Sequence, residues 1–333
     1  MKKIIFDLLS AQPIQNTKFH GGGEYIKTVF QFLVENYNDK IELTVFFNYN
    51  NFLDDYIIEM IKKYKIKTIN ISNINELNQY LNINAYDVLY TGMPYAYGKI
   101  NIPNNTKSIG TFHGFRTLEK YTDKNEKYYY SGYKVLKPIL KGLLKKYKLK
   151  EIYNYYLKSL KKFDEIIVSS NHTRYALKNF YPDLNSNVKT LYVPAKYVKL
   201  KNEVNEEEIK KIGKYILLIG LNRWEKNGLR ALKSIEDLFD KQLLNEYKVV
   251  TIGNIPKKVL KLIKNNEKYI NYGYVETEFL ELLYKNCDVF LYPTLNEGFG
   301  MPPLEAMKYG KTCVISGVCS LPELCGDVVY YIN

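Results

Sequence analysis

Two carboxylates stand eight positions apart across a glycine-rich run, Asn296-Glu297-Gly298-Phe299-Gly300-Met301-Pro302-Pro303-Leu304-Glu305. In such an arrangement one carboxylate can bond sugar hydroxyls while the other holds a ribose diol. Gly298, Phe299 and Gly300 would expose backbone N–H groups to the same ligand. Pro303 suits a helix start, which puts Glu305 in a first helical turn and Glu297 in the loop after a strand ending at Pro293. Taken alone, Glu305 could equally be an acid that complements a helix dipole.

A second constellation is Gly220-Leu221-Asn222-Arg223-Trp224-Glu225-Lys226-Asn227-Gly228, directly after the most apolar strand of the second half. It delivers Arg223 and Lys226 to the start of a helix. Two fixed cations there can neutralise a diphosphate and stabilise charge on a departing one. A solvated basic loop is the bland alternative, weakened by the scarcity of arginine: four (Arg116, Arg174, Arg223, Arg230) among 48 basic residues. The third is Gly21-Gly22-Gly23, between the first strand and the first helix. Consecutive glycines turn tightly and let backbone approach a ligand, and the helix that follows offers free N–H groups. The run is neither GxGxxG nor a Walker A loop, and as residues alone it fits a plain turn equally well.

These groups need a scaffold. At 333 residues the chain exceeds one core, and two domains are the prior. Apolar runs at Ile4–Leu9, Ile41–Phe47, Asp87–Tyr90, Ser108–Phe112, Glu165–Ser169, Val188–Val193, Tyr215–Leu221, Lys248–Ile252, Val289–Tyr292 and Thr312–Ile315 read as strands. Glu24–Asn36, Asp54–Tyr64, Asn171–Phe180, Gly228–Phe239, Pro256–Lys264, Thr277–Asn286 and Pro303–Tyr309 read as helices between them. That alternation predicts an α/β protein with two doubly wound parallel sheets covered on both faces. Val193-Pro194-Ala195 and the charged stretch Lys196–Lys214 mark the linker, giving domains 1–195 and 196–333. Functional loops belong at the carboxyl ends of the strands; if those ends face each other, the active site is an interdomain cleft.

Composition bounds the rest. Hydrophobic residues make up 46%, enough for two cores even with 33 tyrosines set aside, so this is not a disordered chain. The formal charge of +13 favours anionic partners, although an AT-rich genome accounts for much of the lysine. Four cysteines without a CxxC pair, and three histidines, argue against structural zinc. Reduced thiols imply a cytoplasmic protein. No apolar run approaches the roughly 18 residues of a membrane span. Asp7 interrupts the N-terminal apolar stretch and no cleavage site follows it. No Asp-x-Asp stands at a strand end, so no metal and no cofactor are expected.

Lys127–Lys162 holds eleven lysines and one acid, Glu151, a net +10, with eight tyrosines interleaved. Leu136, Ile139, Leu140, Leu143, Leu144 and Tyr147 recur at helical spacing beside Lys141, Lys145, Lys146 and Lys148. A basic amphipathic helix of this kind reads as a membrane-surface element; a solvated helix face is the alternative. Lysine with aromatics is also a single-strand recipe, but without an RNA-binding signature nucleic acid is disfavoured.

Tyr272-Gly273-Tyr274-Val275, Asp288-Val289-Phe290-Leu291-Tyr292-Pro293, Glu297–Ala306, Pro322-Glu323-Leu324 and Gly326-Asp327 together resemble the C-terminal domain of retaining glycosyltransferase family four, two-domain enzymes of GT-B type. Glu297 and Glu305 match its paired glutamates, the Arg223–Lys226 loop its donor-phosphate motif, and Gly22 and Gly23 its N-terminal glycine loop. Val168-Ser169-Ser170-Asn171 is similar to the family's serine-bearing strand end. The resemblance implies transfer of a sugar from a nucleotide-diphosphate sugar to an acceptor hydroxyl, with retention at the anomeric carbon. Family breadth and basic character suggest surface glycan assembly on a glycan or lipid-linked acceptor. Arg223 and Lys226 supply the charge a metal otherwise would, and the basic Lys127–Lys162 face suggests a cytoplasmic protein on the inner face of a membrane. Arg223 and Lys226 would grip the diphosphate and Glu305 the ribose. Glu297 with Gly298–Gly300 would hold the sugar, in a donor domain preceded by an acceptor-side domain. His113, in Thr111-Phe112-His113-Gly114, falls where the family often carries a histidine near the donor sugar, although the family's His-Asp pair is His-Gly here; a hydrogen-bonded structural histidine is the alternative. The family usually continues past the position of Asn333 with a terminal helix that crosses back to the first domain, so either a truncated chain or an absent closing element is expected. A glycan phosphorylase, a nucleotide-sugar epimerase and a non-enzymatic membrane- or RNA-binding module are the competing readings.

Overall fold

Short apolar strands that pair only in parallel build both halves of the chain. A computed structural model describes residues 1–13, 21–193 and 206–332. The linker assigned to Pro194, Ala195 and the first part of Lys196–Lys214 lies outside the described residues. The first sheet contains β1 (Lys2–Asp7), β2 (Ile41–Phe47), β3 (Lys67–Asn70), β4 (Val88–Thr91), β5 (Lys107–Phe112), β6 (Glu165–Val168) and β7 (Asn187–Thr190). Its order is β3-β2-β1-β4-β5-β6-β7. The second contains β8 (Tyr215–Ile219), β9 (Lys248–Ile252), β10 (Tyr269–Asn271), β11 (Val289–Tyr292), β12 (Thr312–Ser316) and β13 (Tyr330–Ile332), ordered β10-β9-β8-β11-β12-β13. Both are the doubly wound pattern expected from the sequence.

In each sheet the winding reverses once. The chain steps outward from β1 to β3 and then crosses to β4; in the second sheet it steps from β8 to β10 and crosses to β11. Neighbouring βα loops therefore diverge at β1/β4 and at β8/β11, and a crevice opens beyond the carboxyl ends at each switch point. The β8/β11 register, Val289 beside Ile216 and Phe290 beside Leu217, brings the two strand ends level.

Helices follow the apolar spacing and their caps. Asn171–Phe180 begins where Ser170, in extended backbone, accepts the Thr173 N–H at 3.1 Å. Thr277–Asn286 has the predicted bounds, whereas the helix expected over Pro256–Lys264 is only Lys257–Leu260. Ile74–Ile83, not expected, is capped by Asn73, whose Oδ1 accepts N–H groups from Asn75 at 3.0 Å and Glu76 at 3.1 Å.

The chain divides into two compact units, Met1–Phe115 with Lys150–Val193, and Arg116–Leu149 with Pro194–Asn333. Arg116–Leu149, assigned by sequence to the first domain, thus packs with the second. Nor is Lys127–Lys162 one helix: a single turn at Gly132–Val135 precedes helices Leu136–Leu143 and Lys145–Leu160. Among the described residues no helix is long and apolar enough to cross a membrane.

Candidate active site

The loops leaving β8 and β11, side by side at the switch point of the second sheet, carry the two strongest sequence motifs. After β8 the backbone turns through Gly220 at φ +71°. A Cβ there would lie 3.3 Å from Lys226 Cγ, so glycine lets the lysine stem fold back over the strand end. A single turn at Trp224–Lys226 ends in Asn227 at φ +60°, and helix Gly228–Asp240 follows. The Leu295 N–H donates to the Glu225 carbonyl at 2.7 Å, pinning this loop to the one that leaves β11.

The pinning brings Lys226 and Glu297 together. Lys226 Nζ donates to Glu297 Oε1 and to Tyr292 Oη. The same carboxylate oxygen accepts from Tyr292 Oη at 2.7 Å and Thr294 Oγ1 at 2.9 Å. Both charged side chains are nearly buried, 12% exposed for Lys226 and 14% for Glu297. Burial by itself would raise Glu297; Lys226, its hydrogen bond, Tyr292 and Arg223 outweigh it and hold the carboxyl below its ordinary range. Burial pulls the Lys226 ammonium down, and Glu297 opposes that shift. Tyr292 is pushed far up by burial and then by Glu297, so it remains a neutral donor. Arg223 Nε lies 3.9 Å from Glu225 Oε2, and Arg116 Nε 3.3 Å from Glu225 Oε1, placing two of the four arginines around one carboxylate.

Gly300 takes φ +110° and opens helix Met301–Met307. Ser320 Oγ donates to the Phe299 carbonyl at 2.5 Å and lies 3.2 Å from that of Glu297, fixing the course of Gly298–Gly300. The prolines fall within the first helical turn, where no N–H is needed. Because the helix starts at Met301, Glu305 falls in its second turn and not, as the sequence suggested, in the first. Dipole effects fade within the first turn, so the dipole-acid reading of Glu305 loses its basis. Glu305 instead acts on the buried Tyr284, whose proton loss is pushed far up by burial first and then by the Glu305 charge.

Gly22 and His113 meet in the first unit. A Cβ on Gly22 would lie 3.3 Å from Met93 Sδ and 3.7 Å from His113 Cδ2. His113 follows β5, its Nε2 lies 2.9 Å from the Gly92 carbonyl, and its ring meets Tyr25 edge-on at 5.0 Å. Gly21, Gly22 and Gly23 are not the turn expected: they form the first turn of helix Gly21–Tyr37, and none has a positive φ. Gly22 permits a close approach, whereas a Cβ on Gly21 would meet nothing within 4 Å.

Sequence reasoning missed Tyr292, Thr294 and Ser320, which order Glu297 and its loop, and it missed the segment that braces the basic loop. Glu119 accepts from Asn296 Nδ2 at 2.6 Å, and Asp123 accepts from Arg230 Nη2 at 3.1 Å through both oxygens. Tyr129 Oη accepts the Leu229 N–H at 3.0 Å. Lys141, expected on a membrane face, instead turns inward. Its Nζ donates to buried Glu126 at 3.0 Å and lies 5.3 Å from the Trp224 ring centre. A carboxylate that is 2% exposed needs a cation, and Lys141 supplies it. Lys145 and Lys146 are exposed, and Lys148 is half-buried.

Residues 201–330 match the family model described as glycosyl transferases group 1. The chain is 32% identical over 120 residues to the serotype-specific mannosyltransferase WbdA of Escherichia coli, covering 34% of this chain and 15% of that protein. It is 52% identical over 62 residues to the O-antigen chain mannosyltransferase B of Escherichia coli, covering 18% of this chain and 16% of the other. These matches thus span about a sixth of the relatives' own length. Among solved structures, sucrose-phosphate synthase from Thermosynechococcus elongatus superposes over 100% of this chain and 86% of its own, with TM-score 0.69 and 13% identity. Residues 201–330 are thus similar to the glycosyl transferases group 1 family, and the two parallel-sheet domains have the GT-B fold.

Proposed function

We propose that the chain is a retaining, metal-independent glycosyltransferase that moves a sugar from a nucleotide-diphosphate sugar to an acceptor hydroxyl in surface glycan assembly. The observation that carries this is the ordered contact of Lys226 with Glu297 at the β8/β11 switch point. An ammonium has three N–H donors; two serve Tyr292 and Glu297, and the third can take a phosphate oxygen. As the anomeric C–O bond breaks, its electron pair goes to the diphosphate, and Lys226 with Arg223 neutralises that charge where a metal otherwise would. Glu297, held ionised, accepts from sugar hydroxyls, and Glu305 from the ribose. His113 is proposed as a sugar-side residue of the first unit. The two relatives' names make mannose the first sugar to test.

A thermal-shift panel of nucleotides and nucleotide sugars should single out one donor, because selective binding stabilises the folded state. With that donor, turnover should continue in EDTA, and early product should keep the donor's anomeric configuration. Loss of activity in EDTA with recovery in Mg²⁺ would overturn metal independence, and an inverted product would overturn retention. Turnover that requires inorganic phosphate would replace the transferase with a phosphorylase.

A further inference from the structure

Six apolar side chains of one short stretch stand in solvent: Leu136, Ile139, Leu140, Leu143, Leu144 and Tyr147, each between 51% and 78% exposed. Their spacing of three and four puts them on one helical face. The Leu144 N–H bonds Leu140 O at 2.9 Å and the Lys148 N–H bonds Leu144 O at 3.0 Å, so the helical course continues across the junction and the stripe stays aligned. From Gly132 to Lys150 the sequence holds seven lysines and no acid. Lys141 alone of these is committed to buried Glu126, on the side that packs against Trp224. The element thus turns Lys141 toward the protein, while Lys145, Lys146 and the six apolar side chains stand exposed.

The charge decides what fits. A second copy would bring seven more lysines against these seven. A nucleic acid would satisfy the lysines but leave the leucines in water. An anionic bilayer accepts both: aliphatic side chains enter the acyl boundary while lysine heads stay among the phosphates. We propose that Gly132–Tyr147 docks in the plane of an anionic phospholipid surface, without crossing it.

The test needs neither donor nor acceptor, so its result and that of the transferase assays are independent. The whole protein is sedimented with vesicles of phosphatidylcholine alone or mixed with phosphatidylglycerol. Binding is expected to the anionic vesicles only, and to weaken as salt shortens the Debye length from about 10 Å at 0.1 M to about 3 Å at 1 M. A lysine near an anionic surface is worth about fivefold, so Lys145→Glu with Lys146→Glu should weaken binding at least about thirtyfold. Leu143→Ser with Tyr147→Ser, both at exposed positions, should weaken it about tenfold at low salt with an unchanged melting temperature. Wild type that stays in the supernatant with anionic vesicles at low salt overturns the proposal. So does equal binding by wild type and both variants, preference for single-stranded RNA over vesicles, or a dimer that Leu143→Ser with Tyr147→Ser dissolves.

Discussion

Tyr292 Oη lies 2.7 Å from Glu297 Oε1, the last residue of β11 donating to the carboxylate five positions on. The tyrosine is fully packed, so a rigid strand end, not a loop, sets where the carboxylate sits. Lys226 reaches the same two oxygens from the end of β8. The site's central charge pair is therefore referenced to two adjacent central strands.

Tyr292→Phe keeps the ring and removes that donor. A lost hydrogen bond to a charged acceptor costs about 1.5–3 kcal/mol, read as a lower denaturant midpoint at unchanged slope. Glu297 is held low partly by this bond, so its pKa should rise. The acid limb of the kcat/KM profile should move to higher pH. An unmoved limb would mean that Glu297 does not govern it.

Lys226→Ala should lower kcat by about 10²–10³ if the ammonium stabilises the leaving diphosphate. It also strands a nearly buried carboxylate, and removing one partner of such a pair costs about 3–5 kcal/mol. Glu297→Gln added to it should restore much of the stability and none of the activity. Restored turnover in the double variant would contradict the catalytic role.

Two buried carboxyls should respond oppositely to pH. Glu297 is held below the usual 4.5, so its contribution is complete above that value and is lost as pH falls through the lowered one. Asp7, fully buried at the end of β1, is raised from 3.8 by burial, against hydrogen bonds from Ser10 and Thr91. For it the sign reverses: its contribution is complete below 3.8 and is lost as pH rises through the raised value. The stability of Asp7→Asn relative to wild type should therefore increase from pH 4 toward neutrality in melting scans, and a constant offset would contradict the assignment.

Gly300→Ala meets two obstacles, a φ of +110° and a Cβ that would drive into Leu321 Cδ2. Backbone strain of this kind costs about 1–3 kcal/mol. Leu321→Ala in the same chain removes the clash but not the φ, so rescue of the Gly300→Ala deficit measured against Leu321→Ala alone should be partial. Full rescue in urea melts would assign the whole deficit to packing.

The sequence was most informative where burial acts on both faces of an element. β2, β9 and β11 have the predicted bounds, the other central strands shift by one or two residues, and the edge strand β7 by up to three. β3, β10 and β13 were missed, and all three are sheet edges, short and largely solvent-facing, as KTIN, YIN and YYI. An edge strand needs no continuous apolar run. Helix Ile74–Ile83 had a legible start, Asn73 followed by Glu76, whose Oε2 accepts the Ser72 N–H at 2.7 Å. In the site, the Glu297–Glu305 and Arg223–Lys226 spacings were readable because each lies within one short run of the sequence. Tyr292 was hidden among 33 tyrosines. The brace formed by Arg116–Leu149 could not be read at all, since ion pairs over 107 positions, as between Asp123 and Arg230, leave no local pattern.

That brace yields the last prediction. Asn227 Oδ1 accepts from Arg230 Nη1 at 2.7 Å and does not cap helix Gly228–Asp240. Tyr129 does so instead, accepting the Leu229 N–H at 3.0 Å. Asp123 holds the next turn through Arg230; burial would raise its carboxyl, but the Asn125 N–H and Arg230 together keep it below 3.8. Losing a cap costs about 0.5–2 kcal/mol, so Tyr129→Phe should lower the denaturant midpoint modestly. Because this helix start follows the Arg223–Lys226 loop, the variant should also raise the donor KM several-fold with a smaller change in kcat. Asp123→Ala should do the same, and the double variant should cost less than the two added together, since both hold one helix turn. Limited proteolysis within residues 120–149 should quicken in each. Additive stability losses with an unchanged donor KM would show that the segment is packing alone and does not position the Arg223–Lys226 loop.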